Sequence, residues 1–428
     1  MHLRSLSICQ FVLVLLFVMS PLSAFAESGY LLTTIDVSND PNPEVLDVVA
    51  QIREAFEEHP QVQQRELHRM LDAGAHDNEY GNVESAKKSF EDGRTAFDRG
   101  RYEEALANLE NTALFLNSSF GFLKSATLYI DTMLYLAACQ YEVANSETAA
   151  AEDVSDEDIF STLEQLLVKY PKLLYPNQRF SLEFNQYLER VRGQVAKRGK
   201  GDLRIETADG SAAAAYVDGI YRGISPLTIF SLVEGSHFVR LVAQGKAVGQ
   251  EIALIEADSR SSVTVSIAPA RNGQLLDEIV DRLRDDLRRT EGAPRHIHEL
   301  KGLLHTDYVV LVHGVAAAHG TEVHAALFNL MSGARIRSTR VVFGRGGPRR
   351  PAATVAGRLL KVEEPKPLAT IATKSSSGDS IFNQWWFWTA TAGLVGGGIL
   401  TAVILSQDDG GAVGVPKKPE TGTLLLRF

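Results

Sequence analysis

The spacing of apolar residues changes near residue 200, and this change constrains the fold more than any other feature of the sequence. Before it, apolar side chains recur every three to four residues, as on one face of an α-helix. After it, short runs alternate between apolar and polar residues and are separated by glycine-containing turns, as in β-strands. The chain of 428 residues is therefore predicted to be a multidomain protein that contains both helical and all-β regions.

Residues 40–197 are predicted to be helical. After a short turn at Gly100, the next helix places its apolar residues on one face; they are Tyr102, Ala105, Leu106, Leu109, Ala113 and Leu116. Ser155, followed three residues later by Asp158, has the arrangement of a capping box and predicts a helix start.

The helical region resembles a tetratricopeptide repeat in the spacing of Gly93, Ala96, Gly100, Tyr102 and Ala105. The family usually has an aromatic residue where Ala96 stands, and here Phe97 follows one place later. The resemblance implies stacked helix pairs whose surface binds a partner. A helical spacer that binds nothing is the open alternative.

Residues 201–269 are predicted to form a small β-sandwich. Asp218-Gly219 lies between two strand-like runs and predicts a type I′ hairpin, because that turn needs positive φ at both central residues. The region resembles the PEGA domain in the residues Tyr216, Val217, Asp218, Gly219, Gly223, Pro226, Glu234, Gly235, His237, Phe238, Val239 and Gly245. This resemblance implies a bacterial, surface-associated, non-enzymatic protein in which five positions are structural turn residues. Those positions are Asp218, Gly219, Gly223, Pro226 and Gly235.

Residues 272–360 are predicted to form an α+β domain with helices against an antiparallel sheet. A tight loop at 316–320 would make His313 and His324 cross-strand partners about 5 Å apart. Two imidazoles at that distance are weak candidates for zinc or copper ligands. No carboxylate in this stretch has clear ligand spacing, so histidines that cover a small sheet are the favoured interpretation. We accordingly expect no metal and no cofactor.

Both ends of the chain indicate export and membrane attachment. Residues 1–26 have the basic start, apolar run and small-residue site of a signal peptide that is cleaved after Ala26. Residues 385–405 lack charge and are long enough to span a bilayer as one helix, after a linker at 361–384 and before a short tail at 406–428. Gly393 and Gly397 would let two such helices approach closely, so self-association is an open alternative. The sequence thus predicts a single-pass membrane protein with its bulk outside the cytoplasm, in the periplasm.

Composition and motifs argue against several functions. The net charge of −10 argues against a general nucleic-acid binder. Signal cleavage would remove Cys9 and leave Cys139 alone, which excludes an intrachain disulfide and a cysteine-rich zinc site. Phosphate loops, nucleophile elbows and metalloprotease motifs are absent from the sequence.

We therefore expect a non-catalytic, membrane-anchored envelope scaffold that binds other envelope proteins or cell-wall material. The order of its regions is similar to that of envelope proteins from myxobacteria and their relatives. A signal-coupling membrane protein is the main alternative, and a metal-binding protein that uses the histidines is the other.

Overall fold

The computed structural model describes residues 30–38, 42–123, 125–147, 153–175, 177–289, 294–344, 350–360 and 425–426. The chain divides into two compact units. The first takes its described residues from Met1–Asp40, Val48–Glu66 and Ile279–Thr401. The second takes them from Pro41–Asp47, Leu67–Glu278 and Ala402–Phe428. Each unit therefore joins segments that are distant in sequence.

The described helices and strands are numbered separately in chain order. The helices are α1 (Pro43–Glu57), α2 (Leu67–Leu71), α3 (Asp77–Asp98), α4 (Tyr102–Ser119), α5 (Thr127–Ala144), α6 (Asp156–Lys169), α7 (Leu182–Val195), α8 (Gly273–Arg289), α9 (Ile297–Leu303) and α10 (Arg350–Leu360). The strands are β1 (Tyr30–Asp36), β2 (Val62–Gln64), β3 (Leu173–Leu174), β4 (Lys200–Thr207), β5 (Ala214–Val217), β6 (Ile220–Ile224), β7 (Leu227–Val233), β8 (Gly235–Val242), β9 (Gly249–Ile255), β10 (Arg260–Val265), β11 (Tyr308–Ala317), β12 (Gly320–Asn329), β13 (Arg335–Gly344) and β14 (Leu425–Leu426). Phe120–Phe122 and Asn177–Arg179 form short 3₁₀ turns.

The first unit is built on a five-stranded sheet with the order β13-β12-β11-β1-β2. β1 runs parallel to both of its neighbours, whereas β11, β12 and β13 form an antiparallel meander. The central run of β1 is buried without alternation, as expected for a strand covered on both faces. One face carries an apolar core with residues of α1 and α10; its members include Val48, Ile52, Phe56, Val310, Val312, Leu327, Phe343, Val355 and Leu359.

The helical part of the second unit comprises α2 to α7. Its apolar core is formed by residues of α3 to α7 and of the 3₁₀ turn Phe120–Phe122. α5 is apolar on nearly all sides because its neighbours cover it, and Cys139 lies inside it with no exposed surface. Burial raises the pKa of the Cys139 thiol to about 12. Cys139 is therefore a buried, packed thiol.

The β-rich part of the second unit contains two sheets, with the orders β10-β4-β7 and β6-β5-β8-β9. β4 alternates between buried and exposed residues along its length, and its buried side faces the core. The two sheets enclose a compact apolar cluster that includes Leu203, Ile205, Ala215, Val217, Val239, Leu241, Ala253, Ile255 and Val265. On the outer side of the four-stranded sheet, Phe238 packs against the helical core.

The fold class expected from the sequence is wrong for the chain as a whole. The described chain is a mixed α/β protein, and a repeating helix pair is not shown by its helices, which range from 5 to 22 residues. The region 40–197 is also not purely helical, because it contains β2 and β3. β1 pairs with β11 from Leu32 opposite Tyr308 to Asp36 opposite Val312, and local spacing cannot signal a contact so distant in sequence.

The expected single-pass membrane localisation is corrected as well. Within the described ranges, no helix combines the length and the apolar character needed to cross a membrane. α3 is the longest, and charged side chains recur along it. The signal peptide at 1–26, the linker at 361–384 and the membrane helix at 385–405, with Gly393 and Gly397, lie outside the described residues. Of the tail at 406–428, the structure describes β14, which pairs antiparallel with β3.

Candidate functional site: a buried polar cluster and an exposed cleft

The predicted turn at Asp218-Gly219 connects β5 and β6. Both residues have positive φ, 54° for Asp218 and 76° for Gly219, which is the backbone that a type I′ turn requires. A Cβ atom on Gly219 would lie 3.2 Å from the Cβ of Ala126, the residue before α5. The turn therefore lies against the helical part of the same unit.

The Asp218 side chain is a buried acceptor and not a solvated turn residue. Its Oδ1 accepts a hydrogen bond from the backbone N–H of Phe238 at 3.0 Å. Its Oδ2 lies 2.6 Å from Nδ1 of His237, and Nε2 of His237 lies 2.8 Å from the carbonyl oxygen of Val233. The Asp218 and His237 side chains are each 1% exposed. A carbonyl oxygen can only accept, so Nε2 donates, and a second proton lies between Nδ1 and the carboxylate.

Two residues at the end of α6 complete this polar cluster, which comprises Asp218, His237, Lys169 and Tyr170. The Tyr170 hydroxyl donates to the backbone carbonyl of Asp218 at 2.7 Å, and burial raises the pKa of Tyr170 well above its ordinary value. Lys169 is 5% exposed; its Nζ contacts the carbonyl of Gln165 at 3.4 Å. Burial lowers the pKa of Lys169, while the nearby Asp218 carboxylate opposes that shift.

Aromatic rings surround the charged end of Lys169. The ring of Phe238 stacks on that of Phe120 with centroids 4.1 Å apart, and Tyr129 meets Phe238 edge-on at 5.6 Å. Nζ of Lys169 lies 4.8 Å from the Phe238 ring centroid, a cation–π distance. Phe238 belongs to the same apolar cluster as the helical core, so these contacts join the helices to the four-stranded sheet.

This arrangement is not suited to catalysis. An aspartate–histidine pair can activate a nucleophile or move a proton only where a substrate can reach it. Here both members are sealed, and the tyrosine and lysine beside them are also buried. The polar cluster satisfies buried donors and acceptors and fixes β8 to α6, which is a structural role.

An accessible feature lies beside the cluster. A shallow cleft of about 170 Å³ is lined by residues at the end of α4, the following 3₁₀ turn, β8 and β9; they are Asn117, Phe120, Gly121, Phe238, Val239, Gln250, Glu251 and Ile252. Gln250 closes one side, since its Oε1 accepts from the Gly121 N–H at 2.8 Å and its Nε2 donates to the Ser118 carbonyl at 3.1 Å. Glu251 is the single charged residue of this lining.

β9 continues the cleft with an exposed apolar strip. Ile252 is 62% exposed and Leu254 is 65% exposed, and they lie opposite Phe238 and Ser236 of β8. Because directly opposed residues share a face of the sheet, Phe238, Ile252 and Leu254 lie on the same outer face. Phe238 is covered by the helices, whereas Ile252 and Leu254 are left uncovered by the described chain. We call Ile252 and Leu254, together with the cleft, the β9 surface.

The other predicted turn residues have local structural roles. Gly223 and Gly235 have positive φ of 140° and 139°, a region that favours glycine. A Cβ on Gly235 would lie 2.8 Å from Cγ1 of Val168 in α6, so the helix also requires a small residue there. Pro226 follows Ser225, whose hydroxyl accepts from the Ala213 N–H at 3.0 Å.

The weak metal candidates are neighbours, as their loop spacing predicted. His313 of β11 lies directly opposite His324 of β12. Nε2 of His324 is 3.0 Å from Oε1 of Glu322, and the Arg340 side chain contacts the same carboxylate. No group of three or more potential metal ligands occurs among the described residues. The carboxylate nearest His324, that of Glu322, is therefore paired with Arg340.

Sequence reasoning missed most of the polar cluster. Asp218 was identified only as a turn residue, while His237 was identified only as a motif position at the start of a strand. Lys169 at the end of an amphipathic helix has the pattern of a solvent-exposed residue, because lysine usually keeps its charge in water. The only indication of the cluster in the sequence is that an aspartate and a histidine, Asp218 and His237, both fall within the predicted β-sandwich at 201–269.

No protein-family model matches the sequence, and no curated protein matches it. The class of protein must accordingly be inferred from the fold and the site.

Proposed function

We propose that this protein is a non-catalytic binding protein that holds a partner protein on the β9 surface. The observation that carries the proposal is the exposure of Ile252 and Leu254 on one face, beside a preformed cleft. Adjacent exposed apolar side chains next to a concave site, with polar residues around it, form the usual pattern of a protein interaction site.

The chemistry of the β9 surface defines the partner. Phe120, Phe238 and Ile252 supply apolar walls, so the bound segment presents an apolar side chain to the cleft. Leu254 extends the apolar strip along β9 and favours a second apolar contact. Glu251 is the charged lining residue, and therefore a basic residue beside the apolar ones complements the site.

The separation between the sealed cluster and the exposed cleft also supports binding over catalysis. The aspartate–histidine pair is buried, whereas the groups that a partner can touch are apolar side chains, amides and the Glu251 carboxylate. Asn117 and Gln250 provide polar contacts that orient a partner. The Phe120–Phe238 wall of the cleft is a stacked pair of rings with centroids 4.1 Å apart.

The test uses a defined probe. A random peptide library displayed on phage is selected on the purified full-length chain, and the enriched peptides are measured by fluorescence anisotropy. We expect apolar residues near a lysine or arginine, and we expect Ile252→Lys to weaken binding by tenfold or more, roughly the effect of losing one buried apolar contact.

The matched control is Leu114→Lys in α4, because Leu114 is 68% exposed and does not line the cleft. This control should leave the affinity of the selected peptides unchanged. Failure to enrich any peptide, or equal affinity for the Ile252→Lys variant and the parent protein, contradicts the proposed binding surface.

A further inference from the structure

β13 forms one edge of the five-stranded sheet of the first unit. It is ten residues long, and among the described strands only β12 pairs with it. Even-numbered residues from Ile336 to Val342 are exposed, while odd-numbered residues from Arg337 to Phe343 turn toward the core that contains α10. A long edge strand presents unpaired N–H and C=O groups that another strand can bind.

The exposed face of β13 is partly apolar. Ile336 is 42% exposed and Val342 is 58% exposed. Between them lie Ser338 and Arg340, and the Arg340 guanidinium contacts Glu322 of β12, so its charge has a partner within the chain. A register shift between Leu327 and Phe328 places a bulge near Ile336, while pairing from Arg337 onward is regular.

We infer that the edge of β13 binds the same edge of a second copy of this chain. The two strands run antiparallel about a two-fold axis at Thr339 and join two five-stranded sheets into one. An isologous contact of this kind is the commonest way in which identical subunits pair. The inference is independent of the β9 surface, which lies in the other unit.

Self-complementarity identifies the second copy as the occupant. With the axis at Thr339, Ile336 lies opposite Val342 of the other strand, and this apolar pair occurs twice. In the same register Ser338 lies opposite Arg340, and Arg337 lies opposite Val341, so arginine never faces arginine directly.

Shifted registers are less favourable. An axis at Arg340 or at Arg337 would place identical arginines in direct opposition, which is destabilising. An axis at Ser338 would place Ile336 opposite Arg340, and an axis at Val341 would place Val342 opposite Arg340. The bulge at Ile336 lies outside the five central pairs, from Arg337 to Val341, of the preferred register.

The register is tested by cysteine cross-linking of the full-length chain in a Cys9→Ser background. Cys139 is fully buried and should give no cross-link in the parent protein. Thr339→Cys should form a disulfide dimer under mild oxidation, since directly opposed residues have Cα atoms about 4.5–5.5 Å apart. Ser338→Cys is the matched control, because two copies of residue 338 are offset by two positions and cannot be bridged.

Sedimentation equilibrium of the full-length chain without cysteine substitutions measures the association itself. The parent protein should have twice the monomer mass at micromolar concentration, and Val342→Lys should raise the dissociation constant by about tenfold or more. Met331→Lys should leave it unchanged, since Met331 is 63% exposed but follows β12 and is not on β13. A monomeric parent, a dimer unaffected by Val342→Lys, or equal cross-linking of both cysteine variants overturns the inference; the last two outcomes would assign the contact to another surface or partner.

Discussion

Nδ1 of His237 lies 2.6 Å from Oδ2 of Asp218, and both side chains are removed from solvent. The contact joins β8 to the β5–β6 turn, and the Tyr170 hydroxyl extends it to the end of α6. Removing one partner of a buried hydrogen-bonded pair lowers the free energy of unfolding strongly, because the other partner stays buried without its hydrogen bond.

Asp218→Ala is therefore expected to destabilise the second unit strongly. The substitution removes the acceptor of two hydrogen bonds. It also leaves alanine, which lacks a polar side chain, at a position with positive φ. We expect a loss of about 3 kcal/mol or more in the free energy of unfolding, measured by urea denaturation. Asp218→Asn keeps an acceptor oxygen and tolerates positive φ, so it should lose clearly less. Equal losses for the two variants would contradict a specific role for the acceptor.

The glycines of the β-rich part differ in why they are required. A Cβ on Gly201 would lie 2.2 Å from the carbonyl oxygen of Glu256, whereas Gly219 has positive φ and a side-chain neighbour at 3.2 Å. The turn at Gly219 is visible in the sequence, whereas the close approach at Gly201 is visible only in the structure.

We expect Gly201→Ala to lower the melting temperature more than Gly210→Ala. Gly210 has a φ of 71° but open space around it, so its substitution carries backbone strain alone, about 1 kcal/mol. Gly193→Ala in α7 is the control, because the added methyl group meets nothing within 4 Å and alanine favours a helix. Differential scanning calorimetry ranks the three variants; a Gly201 variant as stable as the Gly210 variant would refute the close approach.

Local features of the fold were predictable from the sequence. Ser155 accepts from the Asp158 N–H at 3.2 Å, and the Asp158 carboxylate accepts from the Ser155 N–H at 2.9 Å, so the predicted capping box is present at the start of α6. His313 and His324 are paired because one short loop determines the register of two adjacent strands. In both cases the interacting residues are close in sequence.

Features that depend on distant segments were not predictable. β1 joins the sheet of β11 from the other end of the chain, and Phe238 is buried against Phe120 and Tyr129 of the helical part. The pattern within β8 shows that Phe238 is apolar, but it does not show which element lies against it. The polar cluster was missed for the same reason, because Lys169 and Asp218 are brought together by the contact between helix and sheet.

The histidine pair of the first unit is expected to hold no metal. Glu322 is the carboxylate next to His324, and it already contacts Arg340. We predict that the purified protein, dialysed after exposure to zinc, contains no stoichiometric zinc by atomic absorption. The double variant His313→Gln/His324→Gln should give the same value. One zinc per chain in the parent protein and none in the double variant would establish a metal site.

Lys169 should make stability depend on pH in a defined direction. Burial lowers its pKa in the folded protein below the value of about 10.4 that an exposed lysine has. Between the lowered pKa and 10.4, the unfolded chain binds more protons than the folded one, so the free energy of unfolding increases as pH rises. Lys169→Met removes the titrating group and should remove that increase.

The experiment compares urea unfolding of the parent protein and Lys169→Met at pH 7 and pH 9.5. Higher pH is avoided because burial raises the pKa of Tyr129 and Tyr170, and these groups lower stability once unfolded tyrosines lose protons above about pH 10. Lys172→Met is the matched control, since Lys172 is exposed three residues further along the chain. The stability of the parent relative to Lys169→Met should be greater at pH 9.5 than at pH 7, while its stability relative to Lys172→Met should not change. A relative stability that falls with pH would mean that the Asp218 carboxylate outweighs burial and holds Lys169 in its charged form.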